Sequence, residues 1–368
     1  MRVLHVISDE NIGGAGVLLC TLLGQFDPAR VQSEVALPVG SALCPRLEEM
    51  GIPIHPLEHP CHRLSASSIR EISTLLEERR MDLLHANAAL SARVAGKKAG
   101  IPVLHTRHCC FSPAGIWRIL PVRRVGGFCN RRLSDCVIAT AEAAAENLRQ
   151  YGIPPSMIRV IVNGSRAVRP VGEEELSLAQ GRFGVAKEDF TVGICARLEP
   201  YKGHDVFLRG AKLVCDARPD LPFRFLIAGE GTMRKELEAQ AIAMGLEDRV
   251  CFLGFLQDPA PFYRLLRLNV NCSCGTETSC LAISEGFSAG VPVIASDYGG
   301  NRAMVGDGFA GILFPTGSAE ALATAILRVA ADPALEVRMK QAALDRYRRY
   351  YTPEIMTEQL TLLYESFL

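Results

Sequence analysis

The chain has 368 residues, of which 48% are apolar and 22% are charged, and its 40 basic side chains balance its 40 acidic ones. This length is sufficient for two domains with separate cores, and the composition excludes an intrinsically disordered chain. The charge balance argues against a nucleic-acid-binding protein, which would need a basic excess to neutralise phosphates.

Short apolar segments alternate along the chain with longer segments whose apolar residues recur every three or four positions. This alternation predicts parallel strands joined by helices that cover both faces of each sheet. The first half contains predicted strands at residues 3–8, 34–39, 52–57, 83–88, 103–106, 136–139 and 159–162. The second half contains predicted strands at residues 191–196, 223–228, 249–254, 268–272, 292–296 and 311–314.

The alternation weakens at about residues 165–180, where Gly, Pro, Glu and Arg dominate, and we expect the interdomain linker there. The sequence thus predicts two doubly wound, Rossmann-like domains, at residues 1–168 and 169–350, facing across a cleft. Pro353 should interrupt the helical pattern that begins near residue 336, so residues 351–368 are expected to pack back toward the first domain. Ligands of such sheets bind at the carboxyl ends of the strands.

Nothing in the sequence predicts export or membrane insertion. The first residues lack the pattern of a secretory signal, and no apolar run reaches the length of about 18 residues that a spanning helix needs. None of the 13 cysteines forms a C-x-x-C pair, and several lie in apolar segments, which is typical of reduced core thiols. We therefore expect a cytoplasmic protein.

The loop after the first predicted strand carries Gly13, Gly14 and Gly16 directly before a helical segment. Glycines allow close approach of a ligand to the backbone, and the start of a helix offers free N–H groups to an anion. A tight turn without a ligand explains the same pattern, so this loop alone decides nothing.

Charged side chains follow two predicted strands of the second domain. Arg197 and Lys202 come after residues 191–196; a guanidinium can grip a diphosphate with two hydrogen bonds, and an ammonium supplies a compact second charge. Glu277 and Glu285 come after residues 268–272, and we expect Glu285 to lie one or two turns inside a helix that starts near Glu277. Surface charge and compensation of the helix dipole would explain each residue separately.

From residue 192 to about residue 315 the chain closely resembles the retaining, GT-B-fold glycosyltransferases of family 4, the group 1 type. The matching motifs occur in the family's order and spacing, and the amino-terminal half matches more loosely through Gly13-Gly14, residues 105–108 and residues 159–164. The motifs of the second half are Ala196-Arg197-Leu198, Lys202-Gly203-His204, residues 227–231, residues 250–254, the pair Glu277 and Glu285, residues 290–296, and Gly299-Gly300.

The resemblance implies a role for each matching residue. Arg197 and Lys202 would hold the donor diphosphate, Glu277 would contact the transferred sugar, and Glu285 would accept hydrogen bonds from the ribose hydroxyls. His108 would lie near the reacting sugar, and Gly14 would let the first loop approach the donor. The other donor-binding positions would be residues of the base pocket, Glu230, Val250 and Gly254, and the loop after the first glutamate, Thr278, Ser279, Cys280 and Leu281.

The expected reaction is transfer of a hexosyl group from a nucleotide diphosphate sugar, with retained anomeric configuration, to a saccharide or lipid-linked saccharide acceptor. Such a reaction fits cell-surface polysaccharide or lipopolysaccharide synthesis. No Asp-x-Asp motif is present to clamp a metal ion, so we predict no metal and no other cofactor. The alternatives are a nucleotide-sugar 2-epimerase of the same fold and a non-catalytic sugar-binding subunit.

Residues 116–132 combine Trp117 and Phe128 with five arginines and several aliphatic residues. Basic amphipathic segments bind anionic membrane surfaces, and a helix packed on the sheet would explain the pattern equally well. The membrane alternative would place the protein peripherally on the inner face of the cytoplasmic membrane. His55, His59 and His62 are also close in sequence, but their spacing matches no common zinc site.

Overall fold

The computed structural model describes residues 1–8, 13–108, 119–306 and 308–368, except for the side chain of Arg123. The described chain divides into two units, residues 1–165 with 352–368 and residues 166–351. Trp117 and residues 9–12 of the first loop lie outside the described residues. In the part of the chain described, no helix is both long enough and apolar enough to cross a bilayer.

The first unit contains one parallel sheet with the strand order β3-β2-β1-β4-β5-β6-β7. Its strands are β1 (Arg2–Ile7), β2 (Gln32–Pro38), β3 (Ile54–Leu57), β4 (Leu83–Asn87), β5 (Val103–Arg107), β6 (Cys136–Ala139) and β7 (Ile158–Val160). Its helices are α1 (Gly14–Leu23), α2 (Cys44–Glu49), α3 (Ala66–Glu78), α4 (Leu90–Ala99), α5 (Leu120–Leu133), α6 (Glu142–Gln150) and, from the end of the chain, α15 (Pro353–Glu365).

The second unit contains a parallel sheet with the strand order β10-β9-β8-β11-β12-β13. Its strands are β8 (Phe190–Cys195), β9 (Phe223–Ala228), β10 (Val250–Gly254), β11 (Leu268–Asn271), β12 (Val293–Ser296) and β13 (Gly311–Phe314). Its helices are α7 (Glu173–Phe183), α8 (His204–Ala217), α9 (Arg234–Ala243), α10 (Ala260–Leu265), α11 (Leu281–Ser288), α12 (Asn301–Val305), α13 (Ala319–Ala331) and α14 (Pro333–Tyr350).

In both sheets the strand order reverses beside the first strand, between β1 and β4 and between β8 and β11. Adjacent crossovers leave opposite faces of the sheet at such a point and open a crevice at the carboxyl ends of the strands. The buried strands are rich in Val, Ile and Leu, as expected for sheets covered on both faces. The α/β prediction with two doubly wound sheets is therefore confirmed.

The predicted linker is partly wrong, because α7 begins at Glu173, inside the segment expected to be irregular. Three glutamates in its first turn, Glu173, Glu174 and Glu175, compensate the positive end of the helix dipole. Ala179 and Phe183 of the same helix are buried. The glutamates that suggested a linker therefore stabilise the start of a helix that packs on the second unit.

The long carboxy-terminal helical pattern is interrupted at the expected position. Helix α14 ends at Tyr350, and Thr352 caps α15 by accepting a hydrogen bond from the backbone N–H of Ile355. Pro353 occupies the first position of α15, where its missing N–H costs no hydrogen bond. The side chains of Glu358 and Glu365 then bind Arg30 of the first unit.

Candidate functional site

Lys202 and Glu277 form a buried ion pair at the carboxyl edge of the second sheet. The Nζ of Lys202 lies 2.8 Å from Oε2 of Glu277, and the exposed fractions of the two side chains are 17% and 8%. Burial alone would raise the pKa of Glu277, but the Lys202 ammonium and hydrogen bonds from Ser273 and Asn271 outweigh burial and hold this pKa below its ordinary value. The site therefore keeps a carboxylate and an ammonium charged at neutral pH.

Polar side chains beneath Glu277 hold it in place. The Ser273 hydroxyl donates to Oε2 of Glu277 at 2.7 Å, and Oδ1 of Asn271 accepts from the backbone N–H of Ser273 at 3.0 Å. Asn301, which is fully buried, donates to the same Oδ1 at 3.1 Å and to the backbone oxygen of Ser296. This network ties the carboxylate to β11, β12 and α12.

Two glycines of the loop after β12, Gly299 and Gly300, allow that loop to contact the backbone of Glu277 and Thr278. The N–H of Gly300 donates to the carbonyl oxygen of Glu277 at 3.3 Å, and a Cβ on Gly300 would lie 1.4 Å from the carbonyl oxygen of Thr278. Gly299 has a φ of +53°, which L side chains rarely adopt. The Gly299-Gly300 pair is therefore required for the close contact that shapes the Glu277 loop.

Arg197 and Lys202 both lie close to the Tyr201 ring. The guanidinium carbon of Arg197 is 6.0 Å from the centre of the Tyr201 ring, and Nζ of Lys202 is 5.7 Å from it. Arg197 is exposed and donates to the Tyr201 hydroxyl, whereas Lys202 is turned inward to Glu277. The structure thus brings the two predicted cations to one loop, with different partners.

Glu285 is the second carboxylate of this edge. Its Oε2 accepts a hydrogen bond from the Tyr263 hydroxyl at 2.8 Å. Burial raises the pKa of Glu285 to about 7, although the Tyr263 hydrogen bond opposes the shift. Helix α11 begins at Leu281, four residues later than the expected start near Glu277, so that prediction is wrong, although Glu285 does lie in the first turns of the helix.

The residues between the two carboxylates are mostly buried. Thr278 and Ser279 have exposed fractions of 4% and 7%. The backbone N–H of Cys280 contacts the sulfur of Met304 at 3.1 Å, and Asn271 Nδ2 donates to the Cys280 sulfur at 3.2 Å. Burial, followed by the nearby Glu277 charge, raises the pKa of Cys280 to about 12, so its thiol stays protonated.

Two of the three predicted base-pocket residues lie together, because a Cβ on Gly254 would lie 3.0 Å from Oε1 of Glu230. Glu230 is half-exposed and pairs with Arg234 at 3.1 Å, and the carbonyl oxygen of Gly254 accepts from the N–H of Gly229 at 2.8 Å. Val250 lies at the amino end of β10, and its side chain packs in the core of the unit. The structure therefore places Glu230 and Gly254 at the carboxyl edge and Val250 away from it.

Gly14 and His108 belong to the first unit. Gly14 begins α1, and a Cβ at this position would meet no described atom within 4 Å. His108 follows β5, and its Nε2 lies 2.9 Å from Oδ1 of Asn87. Burial lowers the pKa of His108 to about 4, so the imidazole is neutral at neutral pH.

No group of three or more His, Cys, Asp or Glu side chains within the described ranges is placed to hold a metal ion. In the segment of clustered histidines, Nε2 of His55 lies 2.6 Å from Oε2 of Glu34, and Nδ1 of His59 lies 3.3 Å from Oε2 of Glu71. These two histidines thus have different carboxylate partners. The eleven described cysteines are all free thiols.

Comparison with known families accounts for both units. Residues 12–166 match the family described as Glycosyltransferase Family 4, and residues 179–346 match the family described as Glycosyl transferases group 1. The chain belongs to the group 1 glycosyltransferases. The glycosyltransferase is 26% identical over 336 residues to EpsD of Bacillus subtilis (strain 168), which is assigned as a glycosyltransferase, with 87% of this chain and 85% of EpsD covered.

Two further proteins show what this glycosyltransferase is similar to. The D-inositol 3-phosphate glycosyltransferase of Streptomyces bingchenggensis (strain BCW-1) is 27% identical over 292 residues, which span 73% of this chain and 63% of that enzyme. The crystal structure of Anabaena HepE in complex with UDP-glucose has a TM-score of 0.85 and 23% identity, with all of both chains covered. The likeness to HepE supports the GT-B fold class.

The sequence analysis missed three asparagines of this glycosyltransferase. Asn271 and Asn301 support Glu277, and Asn87 contacts His108. Asn87 and Asn271 are the last residues of β4 and β11, where most other positions are apolar. A polar side chain at the carboxyl end of a buried parallel strand is a signal that could have identified these two residues.

Proposed function

We propose that the enzyme transfers a hexosyl group from a nucleotide diphosphate sugar to a saccharide or glycolipid acceptor with retention of anomeric configuration. The observation that carries the proposal is the buried Lys202–Glu277 pair, which lies at the same sheet edge as the Glu285 carboxylate. A cation there suits a diphosphate, and carboxylates suit sugar hydroxyls. We place the reaction in the synthesis of a cell-surface polysaccharide or lipopolysaccharide.

The chemistry follows from the charges that develop as the donor bond breaks. The bond between the anomeric carbon and the phosphate oxygen releases its electron pair to the diphosphate, and positive charge builds on the sugar. The acceptor hydroxyl oxygen bonds to the anomeric carbon, and its proton passes to the departing phosphate oxygen. Lys202 and Arg197 would stabilise the leaving diphosphate, while Glu277 would hold a hydroxyl of the transferred sugar. Fixed charges act most strongly where charge develops. We propose that these two basic side chains stabilise the leaving diphosphate without a metal ion.

The donor should stabilise the folded protein. We expect UDP or another nucleoside diphosphate, and the matching nucleotide sugar, to raise the melting temperature, because a ligand that binds only the folded state stabilises it. UDP-glucose is a sensible first donor, since it is bound in the HepE complex. A thermal-shift screen of uridine, guanosine and adenosine diphosphates with their glucose or mannose derivatives measures this.

Product analysis then separates the alternatives. Transfer should require an acceptor, and NMR of the product should show the anomeric configuration of the donor. A new nucleotide sugar formed without any acceptor would indicate an epimerase, and binding without turnover would indicate a non-catalytic subunit. An inverted product would contradict the retaining assignment.

Helix α5 exposes large apolar side chains beside arginines, a surface that could contact a membrane. Val125 and Phe128 are exposed at 63% and 48%, and the guanidinium carbon of Arg132 lies 5.1 Å from the Phe128 ring. The buried side of the helix carries Gly127 instead, where a Cβ would lie 2.4 Å from the carbonyl oxygen of Gly152. The apolar side chains thus face outward beside arginines, an arrangement that suits an anionic lipid surface.

We therefore propose that the enzyme binds peripherally to the inner face of the cytoplasmic membrane through α5. The protein should float with phosphatidylglycerol-containing vesicles, bind less at high salt, and remain unbound with pure phosphatidylcholine. The double substitution V125D/F128D should abolish flotation, whereas L178D, at an even more exposed apolar position of α7, should not. Equal flotation of the two variants would remove the proposal.

A further inference from the structure

A pocket of the first unit opens at the carboxyl ends of its strands. Helices α1 and α15 supply an apolar wall that includes Leu18, Leu22 and Met356, and the strand ends supply a polar floor that includes Asn87, Thr106 and His108. Every lining residue belongs to the first unit. Pockets with apolar walls and a few convergent polar groups are the usual sites of small polar ligands.

Two of the polar groups of the floor already have partners within the protein. Nε2 of His85 lies 2.6 Å from the Thr106 hydroxyl, and its Nδ1 lies 2.6 Å from the Tyr364 hydroxyl. His108 Nε2 contacts Oδ1 of Asn87 at 2.9 Å. Because Oδ1 can only accept, His108 donates this hydrogen bond.

Asn87 has a buried side-chain amide group for which the described residues offer no acceptor. It has an exposed fraction of 6%, and no described residue accepts a hydrogen bond from its buried Nδ2. A buried amide without an acceptor is costly, and such a group in a native protein calls for an explanation. Asn87 pairs in register with Ile7 of β1 and Thr106 of β5, which places it at the strand-order reversal where ligands of doubly wound sheets bind.

We propose that the Asn87 side-chain amide donates a hydrogen bond to a hydroxyl oxygen of the saccharide acceptor. The inference rests on the proposed transferase function. The acceptor is favoured over the donor because the charged groups proposed for the donor lie in the other unit, whereas this pocket contains only residues of the first. A hydroxyl group also suits the polar floor, because its oxygen can accept a hydrogen bond from the Asn87 amide.

The test compares N87A and N87D with the wild type. The assay uses the nucleotide sugar selected by thermal shift and a panel of octyl glycosides of glucose, galactose, mannose and N-acetylglucosamine as acceptors. Both variants should raise the acceptor KM by about 5- to 150-fold, the range expected for a lost hydrogen bond to a buried group. The affinity for the nucleoside diphosphate should stay at the wild-type value, because the charged groups proposed for the donor lie in the second unit.

N87D separates substrate contact from positioning. Its carboxylate still accepts from His108 but has no N–H to offer, so a normal acceptor KM in N87D would mean that Asn87 acts only through His108 and would overturn the inference. N147A, at a buried asparagine of α6 that does not line the pocket, is the matched control and should keep a normal KM.

Other outcomes are equally decisive. Slower donor hydrolysis with an unchanged acceptor KM would assign Asn87 to the transferred sugar and overturn the proposal, as would donor hydrolysis with transfer to none of the octyl glycosides. A wild-type protein that neither binds nor turns over any nucleotide sugar would instead refute the proposed function itself.

Discussion

Replacing Lys202 by alanine should lower the turnover number by about 10²- to 10³-fold, the effect of removing one fixed group that stabilises developing charge. Lys202 is held by Glu277 at 2.8 Å, so its ammonium is already in place before the donor bond breaks. A charge fixed in advance needs no reorganisation during the reaction. Steady-state rates at saturating donor measure the loss.

Lys202→Ala also leaves the Glu277 carboxylate buried without its cation, which destabilises a protein. Arg197→Ala provides the matching variant, because Arg197 is exposed and its loss should leave the melting temperature unchanged while turnover falls. Lys212→Ala removes an exposed i,i+4 pair with Asp216 in α8 and should change neither property. Near-normal transfer by both site variants would refute the assignment of the two cations.

Substitution of Glu285 by glutamine should weaken nucleotide binding by about 1.5–3 kcal/mol, the contribution of hydrogen bonds to a charged group. The physical reason is that ribose hydroxyls donate to a carboxylate more strongly than to an amide oxygen. Calorimetric titration with the nucleoside diphosphate measures the change. Glu236→Gln, at an exposed position of α9, is the control and should bind normally.

Glu285 should also make binding of the nucleoside diphosphate depend on pH. Burial raises the pKa of Glu285 to about 7 in the free protein, and binding favours the ionised form, so affinity should fall as the pH drops below 7 and level off above it. Glu285→Gln should flatten this profile. Tyr263→Phe should move it to higher pH, because the Tyr263 hydrogen bond lowers the pKa of Glu285. A wild-type profile identical to that of Glu285→Gln would contradict the role of Glu285.

Stability of the free protein should change with pH in the opposite sense. The folded pKa of Glu285 lies above its ordinary value of 4.5, so between 4.5 and about 7 the folded state keeps a proton that the unfolded state has lost. The stabilisation from protonated Glu285 is complete below 4.5 and disappears as the pH rises through 7. The nucleotide is therefore expected to stabilise most where the free protein has lost this contribution.

Local sequence patterns predicted the fold because each strand buries its own apolar run. The predicted strand at residues 311–314 coincides with β13, and the break before Pro353 separates α14 from α15. The start of α11 was misplaced because Gly299 and Gly300 hold the Glu277 backbone in a loop, a tertiary contact that helical spacing does not report. For the same reason, polar residues that support a distant side chain, such as Asn301, were missed.

The candidate site could not be predicted from local patterns, because its residues are far apart in the chain. Lys202 and Glu277 are 75 positions apart, and only the family resemblance suggested that they serve one ligand. Strand order brings them together, since β8 and β11 are adjacent in the sheet. Val250 shows the limit of motif matching: it lies within a matching motif, but its place at the amino end of β10 puts its side chain in the core.

The return of α15 to the first unit has a consequence for synthesis on the ribosome. The seven described strands of that unit are translated before residue 166, but the Tyr364 hydroxyl that bonds the buried His85 is translated only after residues 166–351. Residues 166–351 form an uninterrupted stretch, so the second unit can complete its core first. The strands of the first unit are therefore translated before those of the second, but the first unit is complete only once α15 has been translated and has packed against it.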